Sequence, residues 1–514
     1  MDSSTPQWLH WKQKGDTKYN NGNYLRAIKC HAPSEENERV WWLTAKALYG
    51  LRRWRECAAC LEKIGGLYAE TGERREVLER CRVRVREEEG EYDWGGMIEG
   101  VRAGDGKGDL DCADYVGGIE VRPCAVEGHG RGLFTTRDVE AGELLLCEKA
   151  FGAAFAKDEE EGEGDEETMR VRAELAMGVF VKLVRNPSLR EGFGELFAGD
   201  EVDEQRDLKG EVVVDDTFVQ SRINYNAFAF PLLTSTSHQQ ILSHPAGIST
   251  DANNRGIWLR ASFINHSCYP LVRRSFIGDM MNFRAQADIP KDTELKFGYI
   301  SCLEDVETRT EMLAKYGFRC ECQVCIAERA TSPEKFKRRK EITKMIIELF
   351  EKSKAVGLHT YLDLLGQIGE TYIVSPTIEP RHAVVVPIIN IITGCQSSAL
   401  HLQVIQLVQL LLINLGFEFR VTQDNFRVLR WGYLIDELVM ALADLRDAYA
   451  ALAQTELSRD AESVAKKCYL IMCGEELSWE AAYGAQSERR KGDKGGSEAR
   501  WATEGKWREG GGPN

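Results

Sequence analysis

The segment Tyr316-Gly317-Phe318-Arg319-Cys320-Glu321-Cys322-Gln323-Val324-Cys325 limits what can form around it more than any other stretch of the chain. Three thiols at C-x-C-x-x-C spacing oxidise, hold a metal or stand as unconnected thiols. Redox setting decides between these. Met1 to His10 shows no basic segment followed by an apolar one, so no secretory signal is expected. No apolar run reaches the ~18 residues of a membrane span; Ala383 to Cys395 is short and contains Pro387 and Asn390. A reducing compartment follows as the expectation, cytoplasmic or nuclear, in which 15 cysteines should be free thiols or metal ligands. Structural zinc takes four thiolate or imidazole ligands at tetrahedral geometry. The knuckle supplies three, and Cys268, about fifty residues upstream, is the candidate fourth. Cys57 and Cys60 read differently: they occupy small-residue positions of a helix, have no second pair at finger spacing, and should be packing residues.

Two further segments carry unusual chemistry. In Ser262-Phe263-Ile264-Asn265-His266-Ser267-Cys268-Tyr269-Pro270, four successive polar residues follow an apolar approach from Ala261 to Ile264. Buried polar groups need hydrogen-bond partners, so this run points to a ligand or a specific backbone crossing. Gly128-His129-Gly130-Arg131-Gly132-Leu133-Phe134 has glycines spaced either to let backbone approach a ligand or to make a tight strand-to-strand turn. Thr135 stands where a dinucleotide fingerprint requires glycine, so it is not one.

At 514 residues the chain should divide into several units. Small and aromatic residues recur at helical spacing from Trp8 to about Glu89, as in a tetratricopeptide hairpin, which predicts a helical arm over 1–90. Gly and Asp dominate 91–118, read as a linker. Strand signals mark 119–300, with a helical insertion at about 157–225 that contains the acidic run Asp158 to Glu167. The knuckle occupies 301–326, and 333–483 reads as paired helices, including Leu429 to Leu452. The remainder, 484–514, is expected to be disordered. A net charge of −15 argues against direct nucleic-acid binding and suits a basic partner such as a lysine-rich tail. The basic stretch Lys335 to Lys340 reads as a solvated helix face rather than a nuclear signal.

The order Gly-x-Gly, Asn-His-Ser-Cys, a strand ending in Tyr299, then C-x-C-x-x-C resembles the SET-domain protein-lysine methyltransferases. Within them the likeness is to split-SET proteins with a helical C-terminal part, such as the SET-and-MYND group and fungal tetratricopeptide-SET proteins. It covers roughly Ile119 to Cys325 and extends loosely to about Tyr483. The resemblance implies an α+β protein: a β-rich SET domain with a pseudoknot and a zinc-bound post-SET segment, flanked by α-helical tetratricopeptide-like regions. It also implies S-adenosylmethionine as methyl donor and structural zinc on Cys268, Cys320, Cys322 and Cys325. Gly130, Arg131 and Gly132 look like the turn that cradles the methionine part of the cofactor. Asn265 and His266, with Ser262 beside them, look like the residues that hold the adenosyl part through backbone and side chains, and Asn226 like a cofactor-facing asparagine. Tyr316 and Phe318 resemble the aromatics that cap the adenine and the lysine channel. Tyr299 resembles the active-site tyrosine, with Phe297, Tyr299 and Phe318 lining the channel. Two departures stand out: Leu271 replaces the usual Asn after Cys-x-Pro, and the C-x-x-C pairs of a MYND finger are absent.

The chemistry implied is attack of a neutral lysine amine on a sulfonium methyl. A free lysine has a pKa of ~10.4, and a narrow apolar channel disfavours its charged form. No general base is evident, and Tyr299 would orient the amine. The implied partner is a protein presenting lysine, histone or non-histone, with the helical regions able to take a peptide or protein partner. The competing reading is a catalytically weak SET-fold scaffold or peptide-binding adaptor; the intact Tyr299 and Asn265-His266 favour the enzyme.

Overall fold

A computed structural model describes residues 38–484, apart from 69–70, 105–107, 126–129, 158–164, 200–204, 209, 244–252, 301, 303 and 352–356, together with Lys14 and Lys18. Most of the arm before Glu38, the Gly128-His129 pair, most of the acidic run and the tail from 485 thus lie outside the described residues.

The described part of the arm consists of helices Glu38–Gly50, Trp54–Leu67 and Gly72–Glu87. Ala45, Cys57, Cys60, Ile64, Val77 and Cys81 form its core. The Cys57 and Cys60 thiols donate to the carbonyl oxygens of Ala45 and Trp41 at 3.1 and 3.4 Å, as packing residues do.

Residues 91–118 depart from the linker expectation. Trp94–Ala103 is a helix, opened by Asp93, whose side chain accepts from the Gly96 N–H. Its Met97, Ile98 and Val101 dock against Cys147, Ile277 and Met280. Each such burial contributes about 1.5–3 kcal/mol, enough to override a Gly-rich composition. Strand β1 (Tyr115–Val116) then joins the first sheet.

Ten further strands follow: β2 (Ile119–Pro123), β3 (Arg131–Thr135), β4 (Leu144–Lys149), β5 (Gly152–Ala154), β6 (Ala227–Phe230), β7 (Asn254–Ile257), β8 (Asn265–His266), β9 (Val272–Ile277), β10 (Met280–Ala285) and β11 (Glu294–Phe297). They build three small sheets of order β1-β4-β10-β9, β2-β3-β11-β8 and β5-β7-β6. Leu145, Leu146, Trp258, Phe276, Phe283 and Phe297 form the core between them. Pairing in these sheets is antiparallel except at one place: β8 lies parallel to β11, with Asn265 opposite Lys296 and His266 opposite Phe297. This short pair brings the Asn-His-Ser-Cys run beside the strand that leads to Tyr299. The preceding turn, Ala261–Phe263, is anchored by the buried Glu148 carboxyl, which accepts the Arg260 and Ala261 N–H groups at 2.9 and 3.0 Å.

Between β5 and β6 the insertion contributes helices Asp165–Arg185 and Asp216–Asn226. Val171, Leu175, Val179 and Leu183 recur at three-to-four spacing on the first and pack against Phe193 and Phe218. Asp215 caps the second by accepting the Phe218 N–H at 2.7 Å.

After the knuckle the chain is largely helical, through Pro333–Glu351, Leu358–Gly369, His382–Ser397, His401–Asn414, Asp436–Ala451 and Thr455–Cys473. Lys335, Lys337, Arg338 and Lys340 are exposed on the first of these, a solvated face, while Arg339 turns inward to Thr371. The expectation of a helix from Leu429 needs correction. Strands β12 (Glu418–Val421) and β13 (Phe426–Arg430) form a hairpin there, and the helix starts at Asp436. Gly432 explains the delay: the chain returns so close that a Cβ would lie 2.4 Å from the Leu415 oxygen. The Tyr433 N–H donates to that oxygen at 2.8 Å.

Polar contacts tie these helices to the sheets. His238 Nδ1 lies 2.7 Å from Asp436, its Nε2 lies 2.7 Å from the Tyr483 hydroxyl, and Arg273 on β9 reaches Asp436 at 3.3 Å. Gly474 closes helix Thr455–Cys473 at a φ of 84° and sits where a Cβ would strike Ser275 and Asn282.

Candidate active site and metal centre

The four cysteines singled out in the sequence converge. Their sulfurs all lie within 4.8 Å of one another; Cys268 is 3.9 Å from Cys320 and 3.5 Å from Cys325. Zinc–thiolate bonds of about 2.3 Å place tetrahedral sulfurs roughly 3.8 Å apart, so the cluster has the dimensions of a four-thiolate site. Its surroundings suit thiolates as well. The Arg309 guanidinium, fully buried and ion-paired with Glu328, points Nη2 at Cys325 Sγ, 3.6 Å away. His266 Nε2 lies 3.3 Å from Cys268 Sγ. Four thiolates leave no open position for chemistry on the ion, so the role available here is structural.

His266 links this centre to Tyr299. The Tyr299 N–H donates to His266 Nδ1 at 3.0 Å, which leaves the ring hydrogen on Nε2, directed at the Cys268 sulfur. Both ring nitrogens are therefore engaged inside the protein. The expectation that the His266 side chain holds a cofactor narrows accordingly: a ring face and backbone are what it can present.

A glycine-lined cradle lies on the other side of β8. Asn265 Nδ2 reaches Glu294 at 2.8 Å, the Arg131 carbonyl at 3.3 Å and Cys124 Sγ at 3.4 Å. Gly132 lies directly beneath; a Cβ there would sit 2.9 Å from Glu294, 3.0 Å from Cys124 and 3.3 Å from Asn265. Gly130 adopts a φ of 61°, open to glycine at no steric cost. Burial acts to raise the Glu294 pKa, but Asn265 and Lys296 outweigh it and hold the carboxylate below its usual range. Burial, with Glu294 beside it, pushes the Cys124 thiol up to about 11, so it stays protonated at neutral pH. Room for a polar cofactor lies at Gly130, where nothing stands within 4 Å of an added Cβ, whereas the space at Gly132 is taken by Glu294, Cys124 and Asn265.

Arg131 is held away from this cradle: its guanidinium bonds the Glu195 carboxylate and carbonyl at 2.9 and 2.8 Å and stacks on Phe263 at 4.6 Å. What it offers the cradle is its backbone. Asn226 is buried, with Nδ2 donating to the carbonyls of Phe197 and Arg222, both at 2.7 Å. The Ser262 hydroxyl donates to the Trp258 carbonyl at 2.6 Å and lies 3.5 Å from that of Asn226. Ser262 and Asn226 thus sit together, with their donors already used.

The expected channel residues form one aromatic box. Tyr299 has ring centroids of Phe297, Tyr316 and His266 at 5.0, 5.3 and 5.3 Å, and Phe318 at 6.2 Å. Its hydroxyl donates to the Ile264 carbonyl at 2.8 Å, and burial, with Tyr316 adding, pushes its pKa well up. The phenol therefore stays protonated. Phe228, on β6, completes the wall 6.0 Å from Phe297.

Several groups here escaped the sequence reading. Glu294, Cys124 and Glu148 are single polar residues whose partners, Lys296 beside Glu294 excepted, lie far away in sequence, so no local spacing marks them. Arg274 on β9 did leave a trace: consecutive Arg273-Arg274 breaks the period-two alternation of a half-buried strand.

Residues 130–300 match the SET domain family. A Gibberella zeae protein named Methyltransferase is 29% identical over 479 residues, covering 88% of this chain and 65% of that protein. Histone-lysine N-methyltransferase SET5 of Eremothecium gossypii is 31% identical over 104 residues, 20% of this chain and 21% of the relative. N-lysine methyltransferase SMYD2 of Homo sapiens is 35% identical over 85 residues, 16% of this chain and 18% of the relative. This chain thus spans about two thirds of the first relative's length and about a fifth of the other two. No described helix is long and apolar enough to cross a membrane.

Proposed function

Since this chain carries a SET domain and resembles the SET-and-MYND proteins, we propose that it transfers a methyl group to the side-chain amine of lysine in a protein substrate. The observation that carries the reading is the parallel pair β8–β11. It sets Asn265 over the glycine cradle and His266 against Tyr299, so that cradle and aromatic box meet on opposite sides of one strand.

S-adenosylmethionine would be held by the backbone of Gly130 to Gly132 and by Asn265, and when bound supplies an electrophilic methyl on a sulfonium. The protein's own residues prepare the other reactant. Phe228, Phe297, Tyr316 and Phe318 enclose a low-dielectric space in which an ammonium is disfavoured relative to a neutral amine. The Tyr299 hydroxyl, protonated and fixed by the Ile264 carbonyl, keeps lone pairs available to orient an amine N–H. Alignment of this kind can account for much of the barrier reduction in an in-line displacement. The reading leaves the amine proton to be lost to solvent. Zinc on Cys268, Cys320, Cys322 and Cys325 would pin Tyr316 and Phe318 against Tyr299.

Transfer of radiolabelled methyl to lysine-containing proteins, with mass spectrometry of the modified residue, tests the reading. Label on lysine with the wild type, lost with Tyr299→Phe, is expected. No lysine labelling above the level of that variant would sink it and favour the scaffold.

A further inference from the structure

Arg274 lies in the middle of β9, opposite Phe283 of β10. Its guanidinium carbon stands 5.0 Å from the Phe297 ring centroid and 5.5 Å from that of Phe228, over two of the rings that wall the channel. Its neighbour Arg273 is paired with Asp436 at 3.3 Å. The Arg274 side chain makes no hydrogen bond or ion pair with any described residue. Burial lowers its pKa to about 10, with Arg273 adding to the effect and Tyr316 and Tyr299 opposing it. It is nevertheless charged at neutral pH, and part of its surface remains accessible. The side chain therefore borders a space instead of being packed shut.

A cation drawn out of bulk water is normally matched by an anion, because ring faces return only part of the lost hydration. Within the described chain no carboxylate does this for Arg274. We propose that Arg274 reads a carboxylate on the protein substrate, so that the site selects lysines flanked closely by Asp or Glu. This rests on the lysine-methylation reading and adds the sequence class of the target. A guanidinium fork is matched geometrically by a carboxylate, which it binds through two parallel hydrogen bonds. The same charge opposes an ammonium inside the box, as transfer requires. The net charge of −15 would by itself favour basic flanks, so the bulk field and Arg274 predict opposite preferences.

The full chain is assayed with labelled S-adenosylmethionine on lysine peptides identical except for Asp, Asn, Ala or Lys beside the target. The expected kcat/KM on the Asp peptide exceeds that on its isosteric Asn counterpart by about tenfold, the scale of one charge-assisted hydrogen bond. Arg274→Met should bring that ratio close to one, and Arg274→Lys, which keeps the charge but loses the fork, should keep only part of it. Because the readout is a ratio within one protein, partial misfolding of a variant does not alter it. Equal rates with the wild type, or a preference for Lys flanks, overturn the proposal while lysine methylation stands. If Arg274→Met leaves the ratio intact but weakens S-adenosylhomocysteine binding, the guanidinium serves the cofactor's carboxylate and the proposal fails. If the wild type binds S-adenosylhomocysteine yet methylates none of the peptides, the lysine reading falls and this proposal with it.

Discussion

Removing one thiolate from the cysteine cluster should uncouple the aromatic box from the rest of the SET domain. The observed separations of 3.5 and 3.9 Å, with no pair beyond 4.8 Å, bracket the roughly 3.8 Å edge of a zinc–thiolate tetrahedron. Four thiolates this close repel one another without an ion, and structural zinc sites bind with apparent free energies of about 10–16 kcal/mol in isolated fingers. Protein purified under reducing conditions without added metal should therefore contain close to one zinc per chain by elemental mass spectrometry. Cys268→Ser removes the only ligand from outside the knuckle, as well as the acceptor of His266 Nε2. Its zinc affinity should fall by at least about a hundredfold, the upper scale for changes outside the ligand set. Since Tyr316 and Phe318 lie 5.3 and 6.2 Å from Tyr299, stripping zinc with a chelator should reduce near-ultraviolet circular dichroism and S-adenosylhomocysteine affinity together. The core around Leu145, Trp258 and Phe283 contains no ligand and should keep its secondary structure. Less than about 0.2 equivalents of metal in reduced protein, or zinc removal that leaves cofactor affinity unchanged, would refute the argument.

Tyr299→Phe deletes the hydroxyl bonded to the Ile264 carbonyl; it should cost about 1 kcal/mol of stability in denaturant titration. The same variant should slow methyl transfer by roughly 10²–10³-fold, with cofactor affinity retained; a rate within threefold of wild type counts against the orienting role. Gly132→Ala places a methyl 2.9 Å from Glu294 and 3.3 Å from Asn265. Because the Glu294 carboxylate can swing aside, a modest stability loss of about 1 kcal/mol is expected, with S-adenosylhomocysteine affinity falling about tenfold by calorimetry; unchanged affinity would mean that the cradle is not the cofactor site. Burial raises the Glu148 pKa to about 7, above its unfolded value. Between the two values the folded state carries the extra proton, so stability falls as pH rises through 7, by up to roughly 3 kcal/mol. Glu148→Gln should flatten that slope in unfolding titrations between pH 5 and 8, and an identical slope in both proteins would contradict it.

Much of the site was legible because its parts are local. The C-x-C-x-x-C spacing, the apolar approach to Asn265-His266-Ser267-Cys268 and the strand ending near Tyr299 are each patterns spanning a few residues, and the structure brings them together. Helical periodicity likewise located Asp165–Arg185 and the helices after Pro333. Other features depended on partners far off in sequence. Composition alone cannot register that Met97, Ile98 and Val101 find Cys147 and Met280 to dock on, and so a docked helix reads as a linker. Gly432 delays a helix only because Leu415 approaches it.

The chain's own order of residues was sufficient to mark the candidate metal ligands, most of the strands and helices and the candidate chemistry, but neither the helix Trp94–Ala103 nor the hairpin Glu418–Arg430. Tertiary structure alone decided which nitrogen of His266 faces sulfur, that Arg131 is drawn off to Glu195, and that Arg274 stands charged among aromatic rings. The physical reason is that hydrogen-bond pairing and desolvation depend on what surrounds a group in space, and the surroundings of these groups come from segments tens to hundreds of residues away.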